Sequence, residues 1–324
     1  MKKLIIASIV SILALTGCAE KGNKPESKDK TDKAAITIEH ALGNETFTET
    51  PKRVVILEWG PAEDVLALGV QPVGLADIEG FNTWVKIDEK LDESVVDLGT
   101  RQEPNLEAIA KLSPDVIITV ASNHEPIKAE LEKIAPTIFW DSNTEEAQDN
   151  LYADMIETFK KTATLLDKEA EGKVALKEFD EKLKATKQEI EALDLPDTNF
   201  LFTQAYSANQ APEFRLFTSN SIVSHTLEEV GLTNIITDQA NPAWGFISVN
   251  LEGLTNYDDA MLIHAVQKDD PLFKNVADNK IWQELNFVKE DRLVDIGGDT
   301  WTFGGLLSAE TLIDNLVTAL KEVE

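Results

Sequence analysis

The chain has 324 residues, 43% of them hydrophobic, which is enough to bury one large core or two ordinary ones. Its 58 acidic residues against 30 Lys and Arg give a formal charge of −28, which argues against a nucleic-acid-binding face and fits a soluble, self-repelling surface. Cys18 is the single cysteine, so no disulfide framework is present.

Met1-Lys2-Lys3 is a basic start, and Leu4 to Leu15 is an apolar stretch too short to span a bilayer as a stable helix. Leu15-Thr16-Gly17-Cys18 follows directly and resembles a bacterial lipobox, in which the cysteine is acylated and becomes the mature N-terminus. Residues 1–17 therefore read as a lipoprotein signal peptide, with the mature protein extracytoplasmic and held to the cell membrane through Cys18. Residues 18–35 are polar, Lys-rich and without periodicity, as expected of a disordered tether.

Residues 36–167 read as an N-terminal α/β lobe. Arg53 to Leu57 is a buried-type strand, followed by a helix over Ala62 to Leu68 that Gly69 caps, and a strand over Pro72 to Leu75. The unit recurs as a helix over Asn105 to Leu112 with a strand at Asp115 to Ile118. A helix ends over Leu131 to Ile134, Thr137 to Trp140 is a strand, and an amphipathic helix spans Asn150 to Asp167.

Residues 168–193 form the spine. Leu176, Phe179, Leu183, Thr186, Ile190 and Leu193 recur at alternating steps of three and four, the stripe of a single helix about 39 Å long. Glu169/Lys173, Glu178/Lys182 and Asp180/Lys184 have ion-pair spacing, and Pro196 ends the helix. A coiled-coil arm is the alternative. Residues 194–324 read as a C-terminal α/β lobe. It has a strand at Asn199 to Thr203, a hairpin-like strand at Phe214 to Thr218, strands at Ala260 to Ile263 and Arg292 to Ile296, and helices at Ser221 to Val230 and Ser308 to Val323. Leu251-Glu252-Gly253-Leu254 before Ala260 echoes Leu106-Glu107 before its strand and suggests a helix there too. The fold expected is α/β: two Rossmann-like lobes with parallel sheets, bridged by one long α-helix.

No G-x-S-x-G, P-loop, G-x-G-x-x-G or H-E-x-x-H is present. The four histidines, His40, His124, His225 and His264, are widely spaced, so side-chain metal ligation is not expected. What stands out is a set of aromatic and Arg residues in loops after strands, where open α/β sheets form their ligand crevice. In the first half these are Trp59, Trp84 and Arg101, the last directly before a helix. In the second half they are Tyr206, Arg215, Trp244, Phe246, Trp301 and Phe303. Each has an ordinary alternative: surface ion pairs for the arginines, packing for the aromatics. Trp140 and Trp282 read as packing residues. Gly and Pro beside Trp59, Trp84, Trp244 and Trp301 suggest exposed turns.

Arg53 to Trp59, Ala62 to Val70, the stretch VDLGTRQEPNLEAIAKLSPDVII from Val96, and Asp299 to Gly305 together resemble the ferric-siderophore substrate-binding lipoproteins of ABC importers. Their ferric citrate and citrate–hydroxamate branch is the most similar, over roughly residues 50 to 324. The resemblance implies two lobes on one interdomain helix, a shallow cleft with small closure, no catalysis and no cofactor. The ligand would be a ferric siderophore whose own oxygens hold the iron, so the protein supplies no metal ligands. Arg101 and Arg215 would then be charge-assisted donors to an anionic complex, and the aromatics the apolar walls. It also implies docking on the permease through one acidic residue per lobe, Glu107 and Glu228 by motif position, with Glu229 adjacent, and a monomeric protein. Alternatives are a haem or cobalamin receptor of the same fold, with Tyr206 as the evident axial candidate, and a lipid-anchored surface enzyme or adhesin.

Overall fold

The computed structural model describes residues 35–208, 211–237 and 242–323; the signal segment, Cys18 and nearly all of the tether lie outside them. Residues Ala35–Glu324 form one compact unit. An antiparallel hairpin, β1 (Ile36–His40) and β2 (Gly43–Phe47), opens it. Then come β3 (Val54–Ile56), α1 (Trp59–Ala67), β4 (Gly74–Leu75), α2 (Ile78–Trp84), β5 (Val96–Asp97) and α3 (Leu106–Lys111). They are followed by β6 (Val116–Val120), α4 (Ala121–His124), α5 (Lys128–Leu131), β7 (Thr137–Trp140), α6 (Glu145–Asp149) and α7 (Leu151–Leu165). The sheet order is β5-β4-β3-β6-β7 and every pair is parallel, the doubly wound arrangement that alternating β and α segments predict.

The spine is α8 (Glu169–Ala192). Phe179, Leu183, Thr186 and Ile190 are buried along one stripe, while Leu176 and Leu193 pack at its ends. Of the three ion pairs expected from spacing, the structure makes Asp180–Lys184. Lys182 turns instead to Glu310 and Asp314 on the last helix, because α8 packs against that helix rather than standing free. That packing rules out a projecting coiled-coil arm.

Beyond the spine lie β8 (Asn199–Ala208), β9 (Ala211–Phe217), α9 (Ile222–Glu229), β10 (Thr233–Asn234), β11 (Phe246–Val249), β12 (Met261–Ala265), α10 (Leu272–Val276), α11 (Lys280–Glu284), α12 (Asn286–Lys289), β13 (Leu293–Asp295) and α13 (Leu306–Val323). The second sheet runs β11-β9-β8-β12-β13, with β10 also on β8. It is mixed: the hairpin-like strand expected at Phe214 to Thr218 is present as β9, and it interrupts the parallel sheet expected from alternating β and α segments. β8, β12 and β13 are parallel, but β9 runs antiparallel to both of its neighbours: β8 and β9 are separated by so few residues that they pair as a hairpin, and β11 then pairs with the other edge of β9. Leu251–Asn256 is a 3-10 turn rather than the α-helix its echo of Leu106 suggested. Gly253 sits inside it, and the Asn250 side chain accepts from the Gly253 N–H, closing a tighter turn.

Strand alternation sorts the core. Val54 and Ile56 of β3, Val116 and Ile118 of β6, Phe200 and Phe202 of β8, and Met261 and Ile263 of β12 all join one cluster that also takes in α1, α7, α8, α9 and α13. The residues between them, Val55 and Ile117 in one sheet, Leu201 and Leu262 in the other, face two separate outer clusters. The two lobes thus share one continuous apolar core through the spine and α13.

Candidate ligand-binding site

Two cavities of about 390 and 360 Å³ lie beyond the carboxyl ends of the parallel strands of both sheets. They share Trp59, Arg101, Arg215 and Trp301, so they are two arms of one cleft. Trp244, Phe246 and Phe303 line the first arm, Trp84 and Tyr206 the second. All nine residues singled out from the sequence therefore meet here.

In the first lobe, α1 begins at Trp59, not at Ala62, and Pro61 is accommodated because a first-turn residue has no i−4 carbonyl to bond. Trp59 is consequently 3% exposed rather than on an open turn. Its indole N–H donates to the Asp77 carbonyl at 3.3 Å, and its ring makes an edge contact with Trp301 at 5.1 Å. Trp84 ends α2 and is half-buried. Arg101 projects from a tight turn that opens at Gly99, whose φ of +85° suits glycine, and closes by a bridge from Gly99 to Pro104.

The Arg101 guanidinium lies 3.7 Å from the centre of the Trp59 ring and donates to Glu58 Oε2 at 3.0 Å, with Asp77 at 3.8 Å. Asn123 donates to the other Glu58 oxygen. His124, which carries no metal role here, holds the turn from behind. Burial pushes its pKa down, so it is neutral, with Nε2–H donating to the Arg101 carbonyl at 2.7 Å and Nδ1 accepting from Thr119 at 2.6 Å.

In the second lobe, Gln204, Arg215 and Ser248 stand in register across β8, β9 and β11. Arg215 lies between the rings of Tyr206 and Phe246, each at 5.1 Å, and donates to Gln204 Oε1 at 3.1 Å and the Tyr206 hydroxyl at 3.4 Å. Trp244 is 42% exposed and holds a φ of +66°, a strained value for a large side chain. Phe303 packs against Phe217, Phe246 and Trp244 at 5.6 to 6.3 Å.

The electrostatics are uneven. Burial pushes the carboxyls of Glu58 and Asp154 up, and burial next to Glu63 pushes Asp64 well up; all three line the first arm. Five residues lining it carry a buried polar atom with no hydrogen-bond partner among the described residues: Nε of Arg101 and Arg215, Nε1 of Trp140 and Trp301, and Oγ1 of Thr302. Four of these are donors only. Among the described residues, no group of three or more His, Cys, Asp or Glu could hold a metal ion, and no helix is long and apolar enough to cross a membrane.

Sequence reasoning missed Glu58, Asn123, Trp140 and Gln204 as lining residues. Trp140 read as packing and is 6% exposed, yet it ends β7 at the same sheet edge as Trp59, which was the available signal. Trp282 does pack in the outer core with Phe214, Phe273 and Phe287. Glu107 is exposed in the first turn of α3 beside Lys111; Glu228 is half-buried near the end of α9, and Glu229 is exposed.

This frame of two lobes on one helix, with the cleft at their strand ends, matches known proteins. A family model described as periplasmic binding protein covers residues 54–300, more than half of the chain. The chain belongs to the periplasmic binding protein family. Within the family, it is 34% identical over 317 residues to the Fe(3+)-citrate-binding protein YfmC of Bacillus subtilis strain 168, covering 95% of this chain and 94% of that one. It is 31% identical over 332 residues to a putative ABC transporter substrate-binding lipoprotein, YhfQ, of the same strain, covering 98% and 97%. The solved structure of the Fe3+–Desferal-bound siderophore-binding protein FhuD from Vibrio cholerae superposes with a TM-score of 0.74 at 30% identity, covering 84% of this chain and 98% of that one. Like its relatives, the protein is a binding protein of transport and not an enzyme.

Proposed function

We propose that this protein captures a ferric siderophore in the cleft between its lobes and delivers it to an ABC permease. The observation that carries the reading is the pair of half-buried guanidinium side chains, Arg101 and Arg215, that line both arms of one aromatic-walled cleft. An oxygen-rich, anionic complex of citrate or citrate–hydroxamate type satisfies them, with iron held by the siderophore itself. Membership of the family and the printed ligands of its relatives, Fe(3+)-citrate and Fe3+–Desferal, point the same way.

Trp59, Arg101, Arg215 and Trp301 would contact both parts of the ligand, and Trp84, Tyr206, Trp244, Phe246 and Phe303 would shape its walls. The shared core supports a small closure, since a large rotation would expose it. The protein would act as a monomer outside the cytoplasm, anchored by acylated Cys18. It would dock through Glu107 on one lobe and Glu228 on the other, with exposed Glu229 as the neighbouring choice. The haem reading loses support. Burial, then a hydrogen bond with Glu213, pushes the Tyr206 phenol up, whereas an axial phenolate needs the opposite shift.

The test is tryptophan fluorescence of the chain starting after Cys18, titrated with ferric dicitrate, ferric schizokinen, ferrioxamine B, haem and cobalamin. Saturable quenching by one of the first three, weakened in Arg101→Ala and Trp301→Ala, supports the reading. Binding of haem or cobalamin alone, or of none of the five, overturns it.

A further inference from the structure

Glu63, in α1 of the first lobe, is fully buried and does not line the cleft. Its carboxyl reaches across to the start of α13. Oε2 accepts from the backbone N–H of Gly305 at 3.0 Å and of Ser308 at 2.8 Å, and Oε1 accepts from the Ser308 hydroxyl at 2.7 Å. Helix α13 begins at Leu306, so these are donors that an N-terminus normally leaves without partners. Gly305, at the cap position, has no side chain to serve them, and Glu63 caps α13 from another element. The approach needs the two glycines. A Cβ on Gly304 would lie 2.2 Å from Glu63 Oε1, and one on Gly305 would lie 3.2 Å from Asp64 Oδ1.

The residues just before this cap belong to the cleft. Trp301 turns towards the first lobe, against Trp59, and Phe303 towards the second, against Phe217, Phe246 and Trp244. Between them Thr302 lines the cavity with its hydroxyl unpartnered. Gly60 of α1 approaches the same loop, its Cβ position 3.6 Å from the Phe303 carbonyl. The loop is therefore fixed at one end by a single buried side chain from the opposite lobe.

We propose that Glu63 is a positioning residue for ligand capture: by capping α13 across the lobe boundary, it sets the Trp301–Gly305 loop, and with it the placement of Trp301, Thr302 and Phe303 in the cleft. The proposal rests on that cleft being the ligand site. Nearby charged groups leave the cap intact. Asp64 adjoins Glu63, and Glu89 faces it at longer range. In the ionised form all three bonds run to Glu63. In the protonated form Oε1–H donates to Ser308 Oγ while Oε2 keeps both N–H bonds. A glutamine can copy the second arrangement, and an alanine neither.

The experiment compares Glu63→Ala, Glu63→Gln, Ser308→Ala and Leu262→Ala by thermal melting and by titration with whichever of ferric dicitrate, ferric schizokinen and ferrioxamine B the unaltered protein binds. Leu262, in the outer cluster of the second lobe, supplies a destabilised control remote from the loop. Glu63→Ala is expected to weaken binding about tenfold, while Glu63→Gln and Leu262→Ala stay within about twofold. Ser308→Ala, which removes one bond of three, is expected to lose about threefold and carries the test if Glu63→Ala does not fold. Near-UV circular dichroism of the ligand-free proteins, read as the difference each shows from its Trp301→Phe counterpart, reports the loop without any ligand. That difference should change in Glu63→Ala and persist in Glu63→Gln. If none of the three probes binds the unaltered protein, the ligand reading fails while the dichroism still decides the loop. An unchanged Trp301 signal in the alanine variants, or an affinity loss no larger than that of Leu262→Ala, overturns the proposal.

Discussion

The two arginines of the cleft look equivalent in sequence and are not equivalent in the fold. Arg101 lies flat on Trp59 with Glu58 at 3.0 Å and Asp77 at 3.8 Å, so its charge is largely answered before any ligand arrives. Among the described residues, Arg215 makes its hydrogen bonds and ring contacts with neutral groups, the Gln204 amide, the Tyr206 hydroxyl and two aromatic faces. One wall of the cleft offers a preset, compensated cation, and the other an uncompensated one. The lesson is that counting cations overstates the positive field of a site: partners decide how much charge is left for a ligand.

Substitution of each arginine tests this difference. Arg215→Ala should weaken an anionic ferric complex by about 30- to 100-fold, the loss of a charge-assisted bond from a half-buried cation. Arg101→Ala should cost about tenfold, since Glu58 and Asp77 already offset part of that charge. Equal losses in the two titrations would remove the distinction.

A pH series sharpens the comparison, because the carboxyls crowd the first wall. Glu58 takes up a proton at higher pH than an ordinary glutamate, releasing Arg101 as pH falls. Glu58→Gln should therefore tighten binding about threefold at pH 7.5 and flatten the pH dependence relative to the unaltered protein titrated with the same complex.

Stability carries the same signature. Glu63 is pushed up to about 7 by burial, above its value in the unfolded chain. Protonation is thus favoured by the folded state, and the resulting stability is fully present at low pH and lost as pH rises through about 7. The difference is on the order of 3 kcal/mol. Asp64, shifted the same way, adds to it. The melting temperature should be higher at pH 5.5 than at pH 8, and Glu63→Gln should shrink that gap. A gap of the opposite sign would contradict the shift.

An effect as small as that of Glu58→Gln is expected at Trp244, which contributes an exposed edge rather than a charge. Trp244→Ala should lower affinity about threefold.

Much of the architecture is legible in the sequence because it is written in local periodicity. The stripe from Leu176 to Leu193 places the spine to within a residue at each end, and the strand of Thr137 to Trp140 is found at its exact bounds. Where local pattern competes with long-range pairing, the reading falters. The Leu251 segment tightens around Gly253, and Lys182 abandons its helix neighbour for α13. Within the cleft, the arginines and most aromatics are visible as large residues at strand ends. Glu58, Trp140 and the cap by Glu63 are not, since each acquires its role from a residue far away in the chain.

By itself the sequence determined the elements, the spine and the set of side chains gathered at the sheet edges, because apolar period, turn residues and strand ends are properties of neighbours. Only the tertiary structure decided which of those side chains are charged without partners, which are buried, and which hold others in place. Glu63 and Ser308 are 245 residues apart, and burial, desolvation and pairing exist only once the lobes have closed around them.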